Sequence, residues 1–327
     1  MRVKGCSANH PQSSACDVTA KPNHNQQVMH LDNVVSDNPD RPENVISVWR
    51  LGDQVIGGGR FYNIFRAAPK SLAADSKQDY IIKVINPDLC ETLVPSAITR
   101  LSREAIATEQ ICHPNVIRLL DAELDRAPFF LVQPWIYGRS LDCLLSRAPH
   151  LSLSRLLWVL RQTAEGVRAG HENGRAYLGM DPAHILIGRT GRVTLIGWSH
   201  SHAIDEIAEL PQDQLQLARY AAPECFEEGY QAIPASDVYS LGAMIYHALA
   251  KEFAFDGQTV EEIIEQHQDH IPEDLVVLQR ECPGRLGSLV KQMLFKDPIR
   301  RPSFRSVLNE LISIEIEFLS NSTLIQL

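Results

Sequence analysis

The sequence contains no uninterrupted apolar run of the length that a membrane-spanning helix needs, which is about 20 residues. Its first residues, MRVKGCSANHPQSSACDV, also lack the apolar centre of a signal peptide. We therefore expect a cytoplasmic protein without a membrane partner.

A disulfide framework is also missing. The seven cysteines are scattered, odd in number and free of C-x-x-C spacing. Cys6, His10, Cys16, His24 and His30 carry atoms that bind metals, but their irregular spacing does not match a zinc-ligand pattern. No metal site is predicted.

An excess of positive charge is absent as well. The formal net charge is -9, whereas a protein that binds nucleic acid through its phosphates needs a basic face. We therefore expect no nucleic-acid partner. Hydrophobic residues make up 44% of the chain and charged residues 22%, which is ordinary for a globular protein with a buried core.

Residues 1–44 are rich in Asn, Gln, Ser, Pro and Asp and poor in aromatics. Such a segment buries too little apolar surface to offset its ordering entropy, which predicts a disordered N-terminal tail. The globular domain is expected over residues 45–319, and residues 320–327 form a short C-terminal tail in this interpretation.

Two patterns divide the domain. Short strand-like segments with Gly-containing and charged turns come first, interrupted by one helix over residues 96–111. After Gly138, long segments with helical apolar spacing dominate. This order predicts an α+β fold with a small antiparallel sheet lobe over 45–134 and a larger, mainly helical lobe over 138–319. The predicted strands are 48–56, 61–67, 80–85, 116–120, 129–132, 185–187 and 193–196, and the later helices are 152–170, 235–250, 260–268, 286–295 and 303–319.

Motifs of the first lobe resemble those of a Ser/Thr protein kinase domain. The segment IGGGRFYNI carries Gly57 and Gly59 at positions of a phosphate-binding Gly-rich loop, with Tyr62 at the third glycine position. Lys83 in YIIK resembles the phosphate-pairing lysine, and Glu104 resembles its helix partner. The resemblance implies an ion pair between Lys83 and Glu104.

Motifs of the second lobe complete the resemblance to the kinase fold. The segments APE (222–224), SDVYSLG (236–242) and KDPIRRP (296–302) occur in the family's order. The resemblance implies that Arg301 pairs with Glu224, a contact that holds the architecture and performs no chemistry.

Three positions depart from the kinase pattern. Gly179 occupies the place of the catalytic-loop aspartate, His184 that of its asparagine, and Gly197 that of the metal-binding aspartate. Glycine cannot accept a proton, and a histidine nitrogen is a poor magnesium ligand. Asp181 lies where the family usually places a phosphate-facing lysine, so it does not replace the missing base. The interpretation is that no catalytic residue is intact and that no metal, magnesium included, is bound.

Nucleotide binding is weakened but not excluded. Ile81 replaces the small residue that roofs the adenine pocket in the family, and Tyr62 hinders close approach of phosphates. The backbone at Pro134 and Ile136, in the segment resembling the interlobe hinge, remains available. Together with Gly57, Gly59, Lys83 and Glu104, these residues form a vestigial nucleotide cleft, to which no cofactor is assigned and in which ATP would bind only weakly.

Packing positions around this site are kept or enlarged. Tyr177 and Trp198 stand where the family has the buried His and Phe. The activation segment, 197–224, contains Ser199 and Ser201 but no basic cluster to receive a phosphate. His200 and His202 are expected to be solvated surface residues of this loop.

The leading hypothesis is a catalytically inactive kinase-like domain, a pseudokinase, that binds a protein partner of unknown identity or regulates one. One alternative is a residual or unconventional Ser/Thr protein kinase that uses ATP. Another is a sensor that binds ATP without metal and without turnover.

Overall fold

The computed structural model describes residues 44–147, 151–208, 214–278 and 282–324. The predicted N-terminal tail, except for Asn44, lies outside the described residues, and so do Cys6, His10, Cys16 and the other metal candidates. Among the residues that are described, no helix is both long and apolar enough to cross a membrane.

The first lobe is built on an antiparallel sheet with the strand order β1-β2-β3-β4-β6-β5. Its apolar face packs through buried residues such as Leu51, Ile82 and Val132. The strands are β1 Val45–Ile46, β2 Trp49–Gly58, β3 Tyr62–Pro69, β4 Tyr80–Ile85, β5 Asp121–Glu123 and β6 Phe130–Pro134.

One predicted strand is wrong. Residues 116–120 are not a strand of the sheet: Val116 makes a single parallel bridge to Leu195, and the strand begins later, at Asp121. Val116 and Ile117 belong to the core of the second lobe, and the Ile117 amide donates to the Leu195 carbonyl at 3.0 Å. The apolar, β-branched residues at 116 and 117 are buried against the helical lobe. They were mistaken for a strand because burial and strand formation favour the same residue types.

Helix α1 Val94–Gln110 packs on the sheet. It begins two residues before the predicted start and has Pro95 in its first turn. Backbone N–H groups of the first turn have no partner within the helix, so a proline there costs no hydrogen bond. Ala97 and Leu101 face a cluster that includes Leu131 of β6. This contact directs Glu104, one turn further along, towards the sheet.

The second lobe is mainly helical, as predicted, so the two-lobed α+β fold is confirmed. Helix α5 is apolar around most of its circumference because other elements surround it. The last helix continues five residues beyond the predicted end. The helices are α2 Leu141–Leu145, α3 Leu153–Glu172, α4 Leu215–Ala218, α5 Pro234–Ala250, α6 Val260–Asp269, α7 Leu275–Leu278, α8 Gly284–Met293 and α9 Phe304–Leu324.

Short strand pairs in this lobe support the loops of the candidate site. The strands predicted at 185–187 and 193–196 are present as an antiparallel pair. The short strands are β7 Gly138–Ser140, β8 Arg175–Ala176, β9 Ile185–Gly188, β10 Val193–Leu195 and β11 His202–Ala203, arranged as β10-β9-β7 and β11-β8.

A buried ion pair joins the segment after α4 to the loop before α9. Arg301 Nη1 lies 2.6 Å from Glu224 Oε1 and Nη2 lies 2.7 Å from Oε2, so the predicted pair is present. The guanidinium also donates to the carbonyls of Phe295, Ala235 and Lys296. Every charge-bearing group in this contact therefore has hydrogen-bond partners.

We expect Arg301→Ala to lower the free energy of unfolding by roughly 3–5 kcal/mol, because it leaves the Glu224 carboxylate buried without its partner. Urea unfolding measures the change. Arg285→Ala is the control, since Arg285 forms an exposed pair with Glu310, and a nearly unchanged midpoint is expected. Equal effects of the two substitutions would contradict the structural role of the Arg301 pair.

Candidate functional site

The Lys83–Glu104 ion pair links the sheet to α1. Lys83 Nζ lies 2.6 Å from Glu104 Oε2, as predicted, and Glu104 is 1% exposed. The amide of Gln133 in β6, a residue that the sequence did not single out, lies 3.4 Å from the other carboxylate oxygen. The pair therefore holds the ammonium of Lys83, a residue within β4, at a defined position.

Tyr62 covers this ion pair. Its ring centre lies 5.4 Å from Lys83 Nζ, and its hydroxyl donates to the Ala97 carbonyl of α1 at 3.0 Å. Burial, followed by the negative charge of Glu104, raises the pKa of the Tyr62 hydroxyl above its usual range. Tyr62, at the third glycine position, thus connects β3 to α1 by a hydrogen bond, and its ring occupies space beside Lys83.

In the Gly-rich segment, the residue with a strict steric requirement is Gly58. Its φ is +130°, and a Cβ there would lie 2.2 Å from the Tyr62 carbonyl oxygen. Sequence reasoning selected Gly57 and Gly59 instead. Around Gly57 the nearest atom to a Cβ is 3.8 Å away, and around Gly59 none lies within 4 Å. The tight turn depends on Gly58, whereas the phosphate-binding roles of Gly57 and Gly59 stay predictions.

The predicted hinge runs from the end of β6. Pro134 pairs with Tyr80 as the last residue of β6, and Ile136 packs against the core of the helical lobe. Ile81 lies opposite Gln133 in the β4–β6 register. Roles of Pro134 and Ile136 in nucleotide binding stay predictions.

Charged and aromatic side chains connect this hinge to the sheet in a cluster that the sequence analysis did not predict. The Tyr137 hydroxyl donates to Asp79 Oδ1 at 2.6 Å, and the Trp135 amide donates to the Asp79 carbonyl at 2.8 Å. The Arg66 guanidinium carbon lies 4.3 Å from the Trp135 ring centre, a cation–π contact. In the sequence, the feature that could have indicated this cluster is the presence of two aromatic residues, Trp135 and Tyr137, in the predicted hinge.

The loop after β8 is held by the buried carboxylate of Asp237 in α5. Its two oxygens accept from the backbone amides of Tyr177 and Leu178, each at 2.8 Å. His171 Nε2 donates to the same carboxylate at 2.7 Å. Leu178 has a φ of +54°, a conformation that a non-glycine residue keeps only when its surroundings enforce it.

Gly179, His184 and Gly197 are brought into mutual contact by this loop. His184 Nδ1 donates to the Gly179 carbonyl at 3.2 Å. A Cβ on Gly197 would lie 2.6 Å from the His184 imidazole, and Gly197 has a φ of +74°. A Cβ on Gly179 would lie 3.1 Å from the Gly197 carbonyl oxygen. The imidazole therefore fills the space into which a side chain at position 197 would extend.

Asp181 has a structural role in the same loop. Its Oδ1 accepts from the Ala183 amide at 2.7 Å and caps the short 3-10 turn Pro182–His184. Capping of this kind uses the carboxylate for backbone geometry. The expectation that Asp181 does not replace the catalytic base stays a prediction.

Tyr177 and Trp198 pack together beneath the loop. Their ring centres are 4.8 Å apart in an edge-on arrangement, and both side chains are fully buried. The Tyr177 hydroxyl donates to the Ile196 carbonyl at 2.6 Å, so its polar atom has a partner. Gly170 of α3 makes room for the indole, because a Cβ there would lie 2.8 Å from the Trp198 ring.

The expectation that His200 and His202 are solvated is wrong. His202 is buried, and its Nδ1 donates to the His200 carbonyl at 2.8 Å. Burial lowers the pKa of His200 to about 3 and also lowers that of His202. His202 is buried and His200 is half-buried because the Trp198–His200 turn packs against α1 and β11 pairs with β8, contacts between segments distant in sequence.

Basic residues from other elements approach this part of the activation segment. The positive charges of Arg103 in α1 and Arg175 in β8 add to the lowering of the His202 pKa, after burial itself. Arg175 Nη2 donates to the Ser201 carbonyl at 3.4 Å. The segment has no basic cluster of its own, as the sequence indicated, but the fold supplies arginines from α1 and β8.

Comparison with known proteins identifies the family. The model of the protein kinase domain matches residues 52–311, so the chain belongs to the protein kinase family. It is 31% identical over 216 residues to the serine/threonine-protein kinase PknA of Mycobacterium tuberculosis, which covers 63% of this chain and 48% of PknA. It is 26% identical over 269 residues to the serine/threonine-protein kinase PknB of Mycobacterium leprae, which covers 80% of this chain and 42% of PknB. The chain thus spans less than half the length of these curated relatives.

The contact between Gly170 and Trp198 predicts coupled effects on stability. Gly170→Ala should cost about 1–3 kcal/mol because the new methyl group collides with the indole. In the Trp198→Phe background the same change should cost less, since the colliding ring atoms are gone and only the Arg175 carbonyl oxygen, 3.2 Å from the new Cβ, remains close. A double-mutant cycle in urea unfolding measures the coupling.

Gly166→Ala serves as the control for this cycle. A Cβ at Gly166 would approach the Asn115 carbonyl oxygen at 3.0 Å and does not meet Trp198. Its cost should be the same with and without Trp198→Phe. If Gly170→Ala is equally destabilising in both backgrounds, the indole does not require that glycine.

Proposed function

We propose that this member of the protein kinase family is catalytically inactive and acts as a protein-binding or regulatory module. The observation that carries the proposal is the contact among Gly179, His184 and Gly197. None of these residues supplies a carboxylate, and the imidazole of His184 takes the space beside Gly197. A metal-binding carboxylate could not be added at position 197 without moving that ring.

The chemistry of phosphoryl transfer explains why these positions matter. A carboxylate that orients or deprotonates the attacking hydroxyl contributes about 10²–10⁴-fold. Oxygen ligands that hold magnesium against the phosphates contribute several kcal/mol by separate means. With both lost, turnover is expected to fall close to the uncatalysed rate.

The intact core around the site supports a binding role, as opposed to a chain that has lost its function and is losing its fold. Asp237, Glu224 and Arg301 keep their buried hydrogen bonds, and Tyr177 and Trp198 fill the core beneath the loop. A cavity in place of either aromatic would cost about 3–5 kcal/mol. The fold is therefore preserved while the chemical groups are replaced, which is what a module that works by contact requires. We propose that the chain is cytoplasmic and that its partner is a protein of unknown identity.

A second candidate function is metal-independent binding of ATP. The Lys83–Glu104 pair favours it, because an ammonium held at 2.6 Å from its carboxylate is positioned as nucleotide-binding kinases need. Ile81 and the Tyr62 ring oppose it by occupying space near the predicted base and phosphates. The names of PknA and PknB as serine/threonine-protein kinases favour the third candidate, residual kinase activity.

Thermal melting with ATP separates these candidates. We expect no shift in melting temperature with ATP and Mg²⁺ or Mn²⁺, whereas a ligand at 100 times its Kd would add about 2.7 kcal/mol. A shift without metal that Lys83→Met abolishes would favour the sensor. Lys70→Met, at an exposed lysine, is the matched control. The proposal would be contradicted by metal-dependent phosphate transfer, provided that Lys83→Met abolishes the transfer and Lys70→Met does not.

Restoring one carboxylate should expose the steric conflict. Gly197→Asp alone should lower stability by about 1–3 kcal/mol, because the side chain meets His184 and the backbone has positive φ. Adding His184→Asn should recover part of this loss by replacing the ring with a smaller side chain. Melting temperatures of the single and double variants measure both effects. An unchanged melt for Gly197→Asp would contradict the claim that the imidazole fills this space.

A further inference from the structure

A groove of about 240 Å³ lies on the surface of the helical lobe, away from the residues of the candidate site. It is bordered by α2, the first half of α3, the turn between β9 and β10, and α9. A pocket that holds a small molecule usually has about 300–1,000 Å³. The groove is smaller than this, so it fits a few side chains of a protein partner better than a whole cofactor.

The floor of this groove is apolar and remains in contact with solvent. Leu151 and Ile187 rest on the core of the helical lobe and are only partly buried. The partly or largely exposed apolar residues of the lining are Leu144, Leu151, Trp158, Ile187 and Leu319. A contiguous apolar patch on a protein surface marks an interaction site.

Trp158 is held in place at the groove. Its indole Nε1 donates to the Gly191 carbonyl at 2.9 Å, and the Arg161 guanidinium carbon lies 4.6 Å from its ring centre. The side chain is nevertheless 44% exposed. Because the polar atom of the indole already has a partner within the chain, a ligand needs to supply only apolar contact. Tryptophans in fixed positions are enriched among the residues that dominate the binding energy of protein interfaces.

Five exposed arginines lie around the groove, although the formal net charge of the chain is -9. Arg155 is part of the lining. Arg139 lies opposite Ile187 in the β7–β9 register, and residues directly opposite each other have their side chains on the same face of a sheet. The others lie in the β9–β10 turn and two residues after α2. We call the five residues the groove arginines: Arg139, Arg147, Arg155, Arg189 and Arg192.

The positive charge of the groove arginines is not neutralised within the described parts of the chain. No ion pair or side-chain hydrogen bond to a carboxylate is present there for any of them. Arg189 lies 5.8 Å from the Tyr137 ring centre, a contact that leaves its charge in place. By contrast, the exposed Arg285 pairs with Glu310. The apolar floor is therefore surrounded by unpaired cations.

Acidic residues near the groove are already engaged. Glu315 lines the groove, and its Oε2 accepts from Arg161 Nε at 2.6 Å. Arg161 Nη1 also donates to Glu165 at 2.6 Å. The charge of Asp142 in α2 acts on His247 of α5. A carboxylate from a partner can thus approach the groove arginines without displacing a carboxylate of this chain.

We propose that a partner protein docks in this groove through an acidic segment. Its apolar side chains pack on Trp158 and Ile187, and its Asp or Glu carboxylates pair with the groove arginines. The proposal rests on the binding role proposed above and adds the place of contact and the chemistry of the partner. Nucleic acid also binds arginines and aromatic rings, but the aliphatic floor at Leu144, Leu151 and Ile187 offers no partner to phosphates.

The two kinds of contact contribute differently to affinity. An exposed ion pair changes affinity by at most about fivefold, whereas truncation of a tryptophan at the centre of an interface changes it by about 30-fold or more. We therefore expect Trp158 to dominate the affinity. The groove arginines select an acidic partner and accelerate association, so binding weakens as the salt concentration rises.

Peptides selected from a random library are the probe for the test. A phage library of short random peptides is selected on the immobilised full chain, and the affinities of the enriched peptides are measured in solution by fluorescence anisotropy. We expect the enriched peptides to be rich in Asp, Glu and apolar residues, and to bind more weakly when their acids are replaced by the corresponding amides. Enrichment of basic or uncharged peptides alone, or no enrichment, would overturn the proposal.

A double charge reversal locates the site. Arg155→Glu together with Arg192→Glu should weaken peptide binding at least about tenfold, because two attractive charges become repulsive. Arg155 is the third residue of α3, a position at which glutamate favours the start of a helix, so folding is expected to be unaffected. The matched control is Lys70→Glu with Arg305→Glu, which changes the net charge equally at exposed residues outside the lining. Equal affinities of the peptides for both double variants would place their binding elsewhere, and the proposal would fail.

Truncation of the indole tests the apolar part. Trp158→Ala should weaken peptide binding about 30-fold, whereas Ile106→Ala, at an exposed apolar position of α1, should leave it unchanged. Melting temperatures show whether each variant is folded, and the charge reversal decides the matter if Trp158→Ala is not. A folded Trp158→Ala that binds the peptides as tightly as the original chain would contradict docking on the indole.

Other occupants of the groove give different results. Single-stranded RNA that binds more tightly than the peptides, and is lost in the Arg155→Glu and Arg192→Glu variant, would assign the groove to nucleic acid and overturn the proposal. Dimerisation in sedimentation that the same variant abolishes would assign the groove to a second copy of this chain, with the same consequence. Metal-dependent phosphate transfer would contradict the proposed inactivity, but the peptide affinities of the charge-reversed variant would still decide whether the groove binds acidic segments.

Discussion

The buried carboxylate of Asp237 is the interaction on which the arrangement of the candidate site depends. Both of its oxygens accept hydrogen bonds from the loop after β8, and His171 adds a further donor. A buried carboxylate without these donors would be strongly destabilising, so the helix and the loop must keep this geometry together. The left-handed backbone at Leu178 and the position of Gly179 follow from it.

Substitutions around this anchor are mutually dependent. The imidazole of His184 lies where a side chain at Gly197 would extend, and the indole of Trp198 lies where a side chain at Gly170 would extend. In each pair, a large group at one position is matched by a glycine at the other. Because a well-packed interior tolerates little added volume, such pairs have to be considered together when the site is compared with an active kinase.

Much of the fold was predictable because its signals are local. Hydrophobic periodicity located the long helices and the β2–β3–β4 segments, and short motifs in a fixed order identified the kinase fold. The predictions for residues 116–120 and for His200 and His202 were wrong for a shared reason. In each case the environment is set by an element distant in sequence, Leu195 for Val116 and α1 and β8 for the histidines.

The family resemblance, the two lobes and the lack of carboxylates at positions 179, 184 and 197 could be recognised from the amino-acid sequence alone. The resemblance to the kinase family also implied the Lys83–Glu104 and Arg301–Glu224 pairs, because each of the four residues lies in a segment that matches a family motif. The folded structure was needed to show that His184 fills the space beside Gly197 and that the Trp198 indole lies against Gly170. Spacing and composition describe neighbours along the chain, whereas steric exclusion and desolvation depend on which remote atoms the folded chain brings together.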